Sequence, residues 1–145
     1  MTEKIGLASD HAGYEMKEFI RELLDKKDIP YIDYGTYSTE SVNYAIFGHR
    51  LAEALEQNEV QRGIAVCSTG NGISMTLNKH KGIRAALCWS EEIGRLARAH
   101  NDANVLALPG RFISFDLAEK IVNIFFNTPF DGGRHESRVK AIDLV

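Results

Sequence analysis

The sequence predicts an α/β fold built on a five-stranded, mainly parallel sheet. Three observations predict it. Short β-branched or apolar runs alternate with amphipathic stretches of helical length, which is the pattern of strands joined by crossover helices. Five such strand units recur along 145 residues, the length of one ordinary domain, and 44% hydrophobic residues suffice for one buried core. Polar clusters follow several of the strands directly, at the carboxyl edge where open α/β sheets bind ligands.

In chain order, the first strand is expected at 4–9 and the first helix at 14–27. In that helix Met16, Phe19, Ile20, Leu23 and Leu24 recur at helical spacing, and Lys17, Glu18, Glu22 and Asp25 occupy the other face. The second strand, 30–34, precedes a helix at 43–57. The third, 63–67, ends in Cys67 and passes through a glycine-containing loop into a helix at 72–79. The fourth strand, 83–88, ends in Cys88 and leads to a helix at 90–100, where Ser90 is placed to cap the helix and Glu91 and Glu92 favour its first turn. The fifth strand, 104–108, is followed by a helix at 115–127 and a last, C-terminal helix at 135–142. No repeat, low-complexity tract or linker interrupts this order, so a single domain is expected over 1–145.

Composition removes several classes of function. A formal net charge of −3, from 17 basic and 20 acidic residues, provides no broad basic field for nucleic acid or a membrane surface. No run approaches the roughly 20 apolar residues of a membrane span, and the N-terminus has strand-like hydrophobics, so a cytoplasmic protein is expected. The two cysteines form no CxxC pair and are expected to be reduced. The five histidines, at 11, 49, 80, 100 and 135, lack metal-ligand spacing, and no metal is expected. Trp89 and Phe125-Phe126 read as core or interface, because no basic residues interleave with them.

The chemistry-bearing residues each have two readings. Cys67-Ser68-Thr69-Gly70-Asn71-Gly72 joins a strand to a helix; its backbone N–H groups can form a nest for negative charge, or the loop is a simple connector. It is neither a GxGxxG nor a Walker loop. Cys67 is a small apolar strand-end residue or a thiol whose ionisation a helix N-terminus favours; Cys88, inside the run IRAALC, reads as buried. Asp10-His11 is an acid–base pair or a turn. His100-Asn101-Asp102 is a functional cluster or a helix stop. Arg134 and Arg138 lie at i and i+4 on one face, suited to a phosphate or carboxylate, unless Arg134 pairs with Glu136 or Asp131. Arg111, after Pro109-Gly110, has the same ambiguity.

Taken together, SDHAG, IDYGT, CSTGNGIS, NKHKGIRAALC, HNDANVLAL and GGRHESRV, in that order over nearly the whole chain, resemble ribose-5-phosphate isomerase type B of the ribose/galactose isomerase family. The resemblance implies a three-layer, Rossmann-like αβα sandwich. It implies a homodimer whose sites are shared between subunits, with a tetramer as the alternative assembly. The reaction implied is cofactor-free interconversion of D-ribose 5-phosphate and D-ribulose 5-phosphate. Carried over residue by residue, Cys67 is the base that moves the proton between C1 and C2, Thr69 assists it, and His100 with Asp10 opens the sugar ring. The backbone of Ser68, Gly70, Asn71 and Gly72 holds the enediolate. His11, Arg111, Arg134 and Arg138 bind phosphate, and Tyr44 and Asn101 also contact the substrate.

Two positions depart from the family pattern. Asn43-Tyr44-Ala45 stands where Asp-Tyr-Pro is usual, replacing a carboxylate expected to face the sugar hydroxyls, and Ser68 replaces a glycine. Allose 6-phosphate, galactose 6-phosphate and a tetrose 4-phosphate therefore stand as alternative substrates, and a non-catalytic sugar-phosphate binder as the alternative of another class.

Overall fold

A computed structural model describes residues 3–143; of the span expected to form one domain, residues 1–2 and 144–145 lie outside the described residues. The elements run β1 (Ile5–Ser9), α1 (Tyr14–Lys26), β2 (Tyr31–Asp33), α2 (Tyr44–Glu56), β3 (Arg62–Cys67), α3 (Asn71–Leu77), β4 (Ala85–Leu87), α4 (Glu91–Ala99), β5 (Val105–Pro109), α5 (Phe115–Asn127) and α6 (Arg134–Ala141). The sheet is wholly parallel, in the order β2-β1-β3-β5-β4. All five strands therefore end at one edge, and the chain reverses its direction of growth at β1 and β3.

Alternation along the central strands separates two cores, because successive strand side chains face opposite ways. Ile5, Leu7, Ile64, Val66, Leu106 and Leu108 pack with Met16, Ile20, Ile121 and Phe125 beneath α1, α4 and α5. Ala8, Ala65, Cys67 and Val105 pack with Phe47, Leu51, Ile73 and Leu77 beneath α2 and α3. The central strands are buried on both faces, as a parallel sheet covered by helices requires. Phe125 lies fully in the first core, edge-on to Phe126, whereas Trp89 is 58% exposed.

Two features differ from the sequence expectation. β4 is shorter than 83–88: its edge position leaves only Ala85, Ala86 and Leu87 paired with β5. Lys17, placed by periodicity on the solvent face of α1, is buried; its Nζ lies 2.6 Å from Asp33 Oδ2 and 3.2 Å from Glu18 Oε2. The ion pair with the end of β2 draws the long side chain inward. Helix α6 has no buried residue at all. The Ser90 cap is present, its hydroxyl accepting from Ile93 N–H at 3.2 Å.

Candidate active site

The loops leaving β1, β3 and β5 converge at the carboxyl edge of the sheet. Asp10 N–H donates to Val66 C=O (3.3 Å), Gly110 N–H to Cys67 C=O (2.9 Å) and Arg111 N–H to Ser68 C=O (3.1 Å). These bonds continue the ladder beyond the strands and lock Asp10, Cys67 and Arg111 side by side. Cys67 is 3% exposed and points to the α2–α3 face.

After Cys67 the chain turns through Gly70, whose φ of +77° opens α3. A side chain at Gly70 would meet Leu87 Cδ1 at 2.4 Å, so this turn accepts only glycine. Thr69 Oγ1 accepts from Asn71 N–H at 3.2 Å. Among the described residues the N–H groups of Ser68, Thr69, Gly70 and Gly72 have no protein acceptor. Tyr44 lies over this loop: a Cβ on Gly72 would stand 2.5 Å from its ring.

Asp10 is 6% exposed, and one carboxylate oxygen accepts from Gly13 N–H at 2.9 Å. His11 Nδ1 accepts from Val42 N–H at 3.1 Å, which assigns the proton of a neutral ring to Nε2 and leaves that nitrogen as a donor. The side-chain oxygen of Asn43 has a local partner. It caps α2, accepting from Ala45 N–H at 2.8 Å, which gives this position a role in the helix start.

The other expected residues stand at the opposite edge. His100 and Asn101 end α4, immediately before β5 enters the sheet, and α6 is tied to the same end by the bond from Asp131 N–H to Ala99 C=O (2.9 Å). Arg98, 5% exposed, clamps this corner through Asp102 Oδ1 (2.8 Å), Ala103 C=O (2.7 Å) and Thr128 C=O (3.3 Å). Arg134 and Arg138 are exposed and, among the described residues, form no ion pair; Glu136 turns instead to Lys140 at 3.6 Å. Arg111 is likewise exposed and unpaired among the described residues. Within one chain, then, Cys67, Asp10, His11, Thr69, Tyr44 and Arg111 gather, while His100, Asn101, Arg134 and Arg138 form a separate group.

Two arrangements escaped the sequence. His100 and His135 stack with ring centroids 4.2 Å apart, and Asp131 closes a three-residue cluster with them. Partial desolvation and the neighbouring charges of His100, Arg134 and Arg138 hold the His135 imidazole below its usual range, against Asp131. His49 Nδ1 and His80 Nε2 lie 2.7 Å apart, with His80 Nδ1 2.9 Å from Glu56. Both join residues distant in sequence, so no local spacing could disclose them. A cavity of about 660 Å³ lies at the start of β4, lined by Lys79, Lys81, Arg84 and Asn101 among others, away from Cys67.

A model of the family described as Ribose/Galactose Isomerase matches residues 5–142. Ribose-5-phosphate isomerase B of Escherichia coli K12 is 39% identical over 143 residues, covering 99% of this chain and 96% of its own. The crystal structure of a ribose 5-phosphate isomerase from Thermotoga maritima superposes with a TM-score of 0.97 at 49% identity, over 100% of both chains. Ribose-5-phosphate isomerase B from Mycoplasma genitalium, solved with bound ribulose-5-phosphate, gives 0.93 at 40% identity, covering 98% of this chain and 95% of its own. With the same elements and full-length matches in sequence and structure, the chain belongs to the ribose/galactose isomerase family.

Proposed function

We propose that this chain is a single-domain sugar-phosphate isomerase that interconverts D-ribose 5-phosphate and D-ribulose 5-phosphate, acting in the cytoplasm as a homodimer. The observation that carries the reaction is Cys67 at the end of β3, beside a loop whose N–H groups at Ser68, Thr69, Gly70 and Gly72 have no acceptor among the described residues. In the open-chain aldose, the Cys67 thiolate takes the proton from C2, and electrons move onto the C1 carbonyl to form an enediolate. The same proton returns to C1 while the oxygen-bound proton shifts from O2 to O1, and the ketose results. No redox cofactor enters this balance.

Negative charge grows on oxygen in that step, and each preorganised donor aimed at it is commonly worth about 3 kcal/mol. The Ser68–Gly72 loop supplies such donors without reorganisation, and the Thr69 hydroxyl remains free to donate. Asp10 keeps its second oxygen as an acceptor for a sugar hydroxyl. Phosphate is held remotely, which positions C1 and C2 over the thiol. His11 Nε2–H and Arg111 serve that purpose from one chain, and Arg134 and Arg138 from the other.

A second subunit belongs to the same reading. His100, assigned to ring opening with Asp10, and the Arg134/Arg138 fork sit at the wrong edge of their own sheet to reach Cys67. A copy docking its α4 and α6 ends on the carboxyl edge would bring them there. Tyr37, Tyr44, Trp89, Phe112 and Phe115, all on connections leaving the carboxyl edge, are 41–64% exposed or, for Phe112, 69%, and offer apolar surface for that contact. An α6 without buried residues suits an arm that packs on a partner.

Steady-state assays across pentose 5-, hexose 6- and tetrose 4-phosphates test the reading. Ribose 5-phosphate is expected to be the best substrate, and preferred turnover of another sugar would replace it. Cys67→Ala is expected to lose at least about 10³-fold in kcat while still binding the phosphate ligand; unchanged kcat would remove Cys67 as the base.

A further inference from the structure

We infer that His100, Asp131 and His135 form a binding site for a divalent transition-metal ion of the zinc class, whose occupancy takes His100 away from the substrate. One donor atom from each residue lies within 4.8 Å of the other two. Zinc holds imidazole nitrogen and carboxylate oxygen at about 2.0–2.2 Å, which in a tetrahedron leaves ligand atoms about 3.4 Å apart. Closing that gap calls for rotation of the side chains. Within its own chain Asp131 is exposed and His135 half-exposed, the latter on a helix with no buried residue, so no core of that chain holds either side chain.

The backbone beneath the cluster is already fixed. Asp131 N–H bonds Ala99 C=O at 2.9 Å, His135 N–H bonds Gly132 C=O at 3.1 Å, and Arg98 pins the end of α4 that carries His100. The two imidazoles stack with centroids 4.2 Å apart and an interplanar angle of 13°, so the rings already adjoin, and each turns out of the stack to aim a nitrogen lone pair at a shared ion. Two imidazoles and a carboxylate suit zinc, copper or nickel rather than magnesium or calcium, and leave a fourth position for water. Arg134 and Arg138 on the same helix oppose a cation. They weaken the site below that of a resident metal, which makes occupancy reversible.

Binding stands on the cluster alone, whereas the inhibitory consequence rests on the isomerase reading of His100. The test uses the full chain freed of metal with EDTA. Zinc calorimetry and cobalt(II) visible spectra should report one ion per chain. Asp131→Ala and His135→Ala should each weaken zinc at least tenfold, and Cys67→Ala should leave it unchanged. Turnover should fall in step with zinc occupancy, recover with EDTA, and need at least tenfold more zinc in His135→Ala. Equal zinc affinity in wild type and both cluster variants, or loss of binding in Cys67→Ala, overturns the site. Zinc bound at the cluster without loss of turnover overturns the inhibitory role. Absence of turnover in EDTA strikes the isomerase reading alone, because calorimetry still decides the site.

Discussion

The two edges of the parallel sheet are built differently. At the carboxyl edge Cys67 and Asp10 are buried and His11 half-buried, held by hydrogen bonds around a loop whose N–H groups at Ser68, Thr69, Gly70 and Gly72 have no acceptor among the described residues. At the amino edge a histidine, an asparagine and two arginines with no ion pair among the described residues stand on the end of one helix and on another with no buried residue. A proton-transfer centre needs fixed geometry, and a phosphate clamp needs free cations that a ligand can pair. On the isomerase reading proposed above, one chain carries both halves of a site and its topology keeps them apart.

The largest effect that sharpens this comparison comes from separating the halves genetically. Cys67→Ala and Arg138→Ala homodimers should each be severely impaired, one in kcat and the other mainly in KM for the phosphorylated sugar. After random subunit exchange in an equal mixture, half of the dimers are mixed, each with one intact site of two. Activity should therefore return to about a quarter of wild type. If subunit exchange is verified by mass-tagged chains and no activity returns, the edges do not meet across subunits.

A smaller effect comes from two glycines with the same backbone and opposite surroundings. Gly70, at the carboxyl edge, has φ +77° and would drive a Cβ into Leu87 at 2.4 Å and the Leu108 carbonyl at 3.1 Å. Gly82, near the amino edge, has φ +82° with nothing within 4 Å. Gly82→Ala should cost about 1 kcal/mol, the strain of a left-handed residue alone. Gly70→Ala adds overpacking for about 3 kcal/mol in all, and displaces the loop beside Cys67. Urea unfolding measures both; equal losses would mean that the carboxyl edge is not the rigid one.

Much of this was legible in the residues. Strand and helix periods disclosed the α/β class, and the polar clusters after β1 and β3 marked the carboxyl edge. The ordered motifs pointed to the family that the comparisons then established. What stayed hidden was non-local. Lys17 obeys helical periodicity yet is buried, because its partner Asp33 lies on another element. His135 meets His100 only once α6 folds back to α4. The separation of His100 from Cys67 follows from strand order and direction, which no stretch of sequence contains.

The cysteines give the next smaller test. Burial pushes the Cys88 thiol up to about 12 from its ordinary value of 9.0, and its Sγ donates to Ala86 C=O at 3.5 Å. A raised folded-state value means that the unfolded chain loses its proton first. The contribution is therefore complete below about pH 9 and declines as pH rises toward about 12, with a slope of at most about 1.4 kcal/mol per pH unit. Between pH 9 and 10, wild type should lose stability faster than Cys88→Ala. Parallel slopes would show that Cys88 titrates normally and that its surroundings are not the dry core that its full burial implies.

The smallest expected effect concerns Asn43, the position where the sequence suggested a change of substrate. Its side-chain oxygen is occupied in capping α2 through Ala45 N–H, and it stands on the exposed entry to that helix. Aspartate and asparagine are near-equal N-caps, and aspartate adds a favourable charge at the helix N-terminus of about 0.5 kcal/mol. Asn43→Asp should therefore raise thermal stability slightly and leave the order of preference among pentose, hexose and tetrose phosphates unchanged. A reversal of that order would put the side chain at the sugar instead, and would make the carboxyl edge less rigid at Asn43 than its cap implies. An unchanged order with a small gain in Tm would assign the departure at Asn43 to helix capping and leave the choice of sugar to the residues around Cys67.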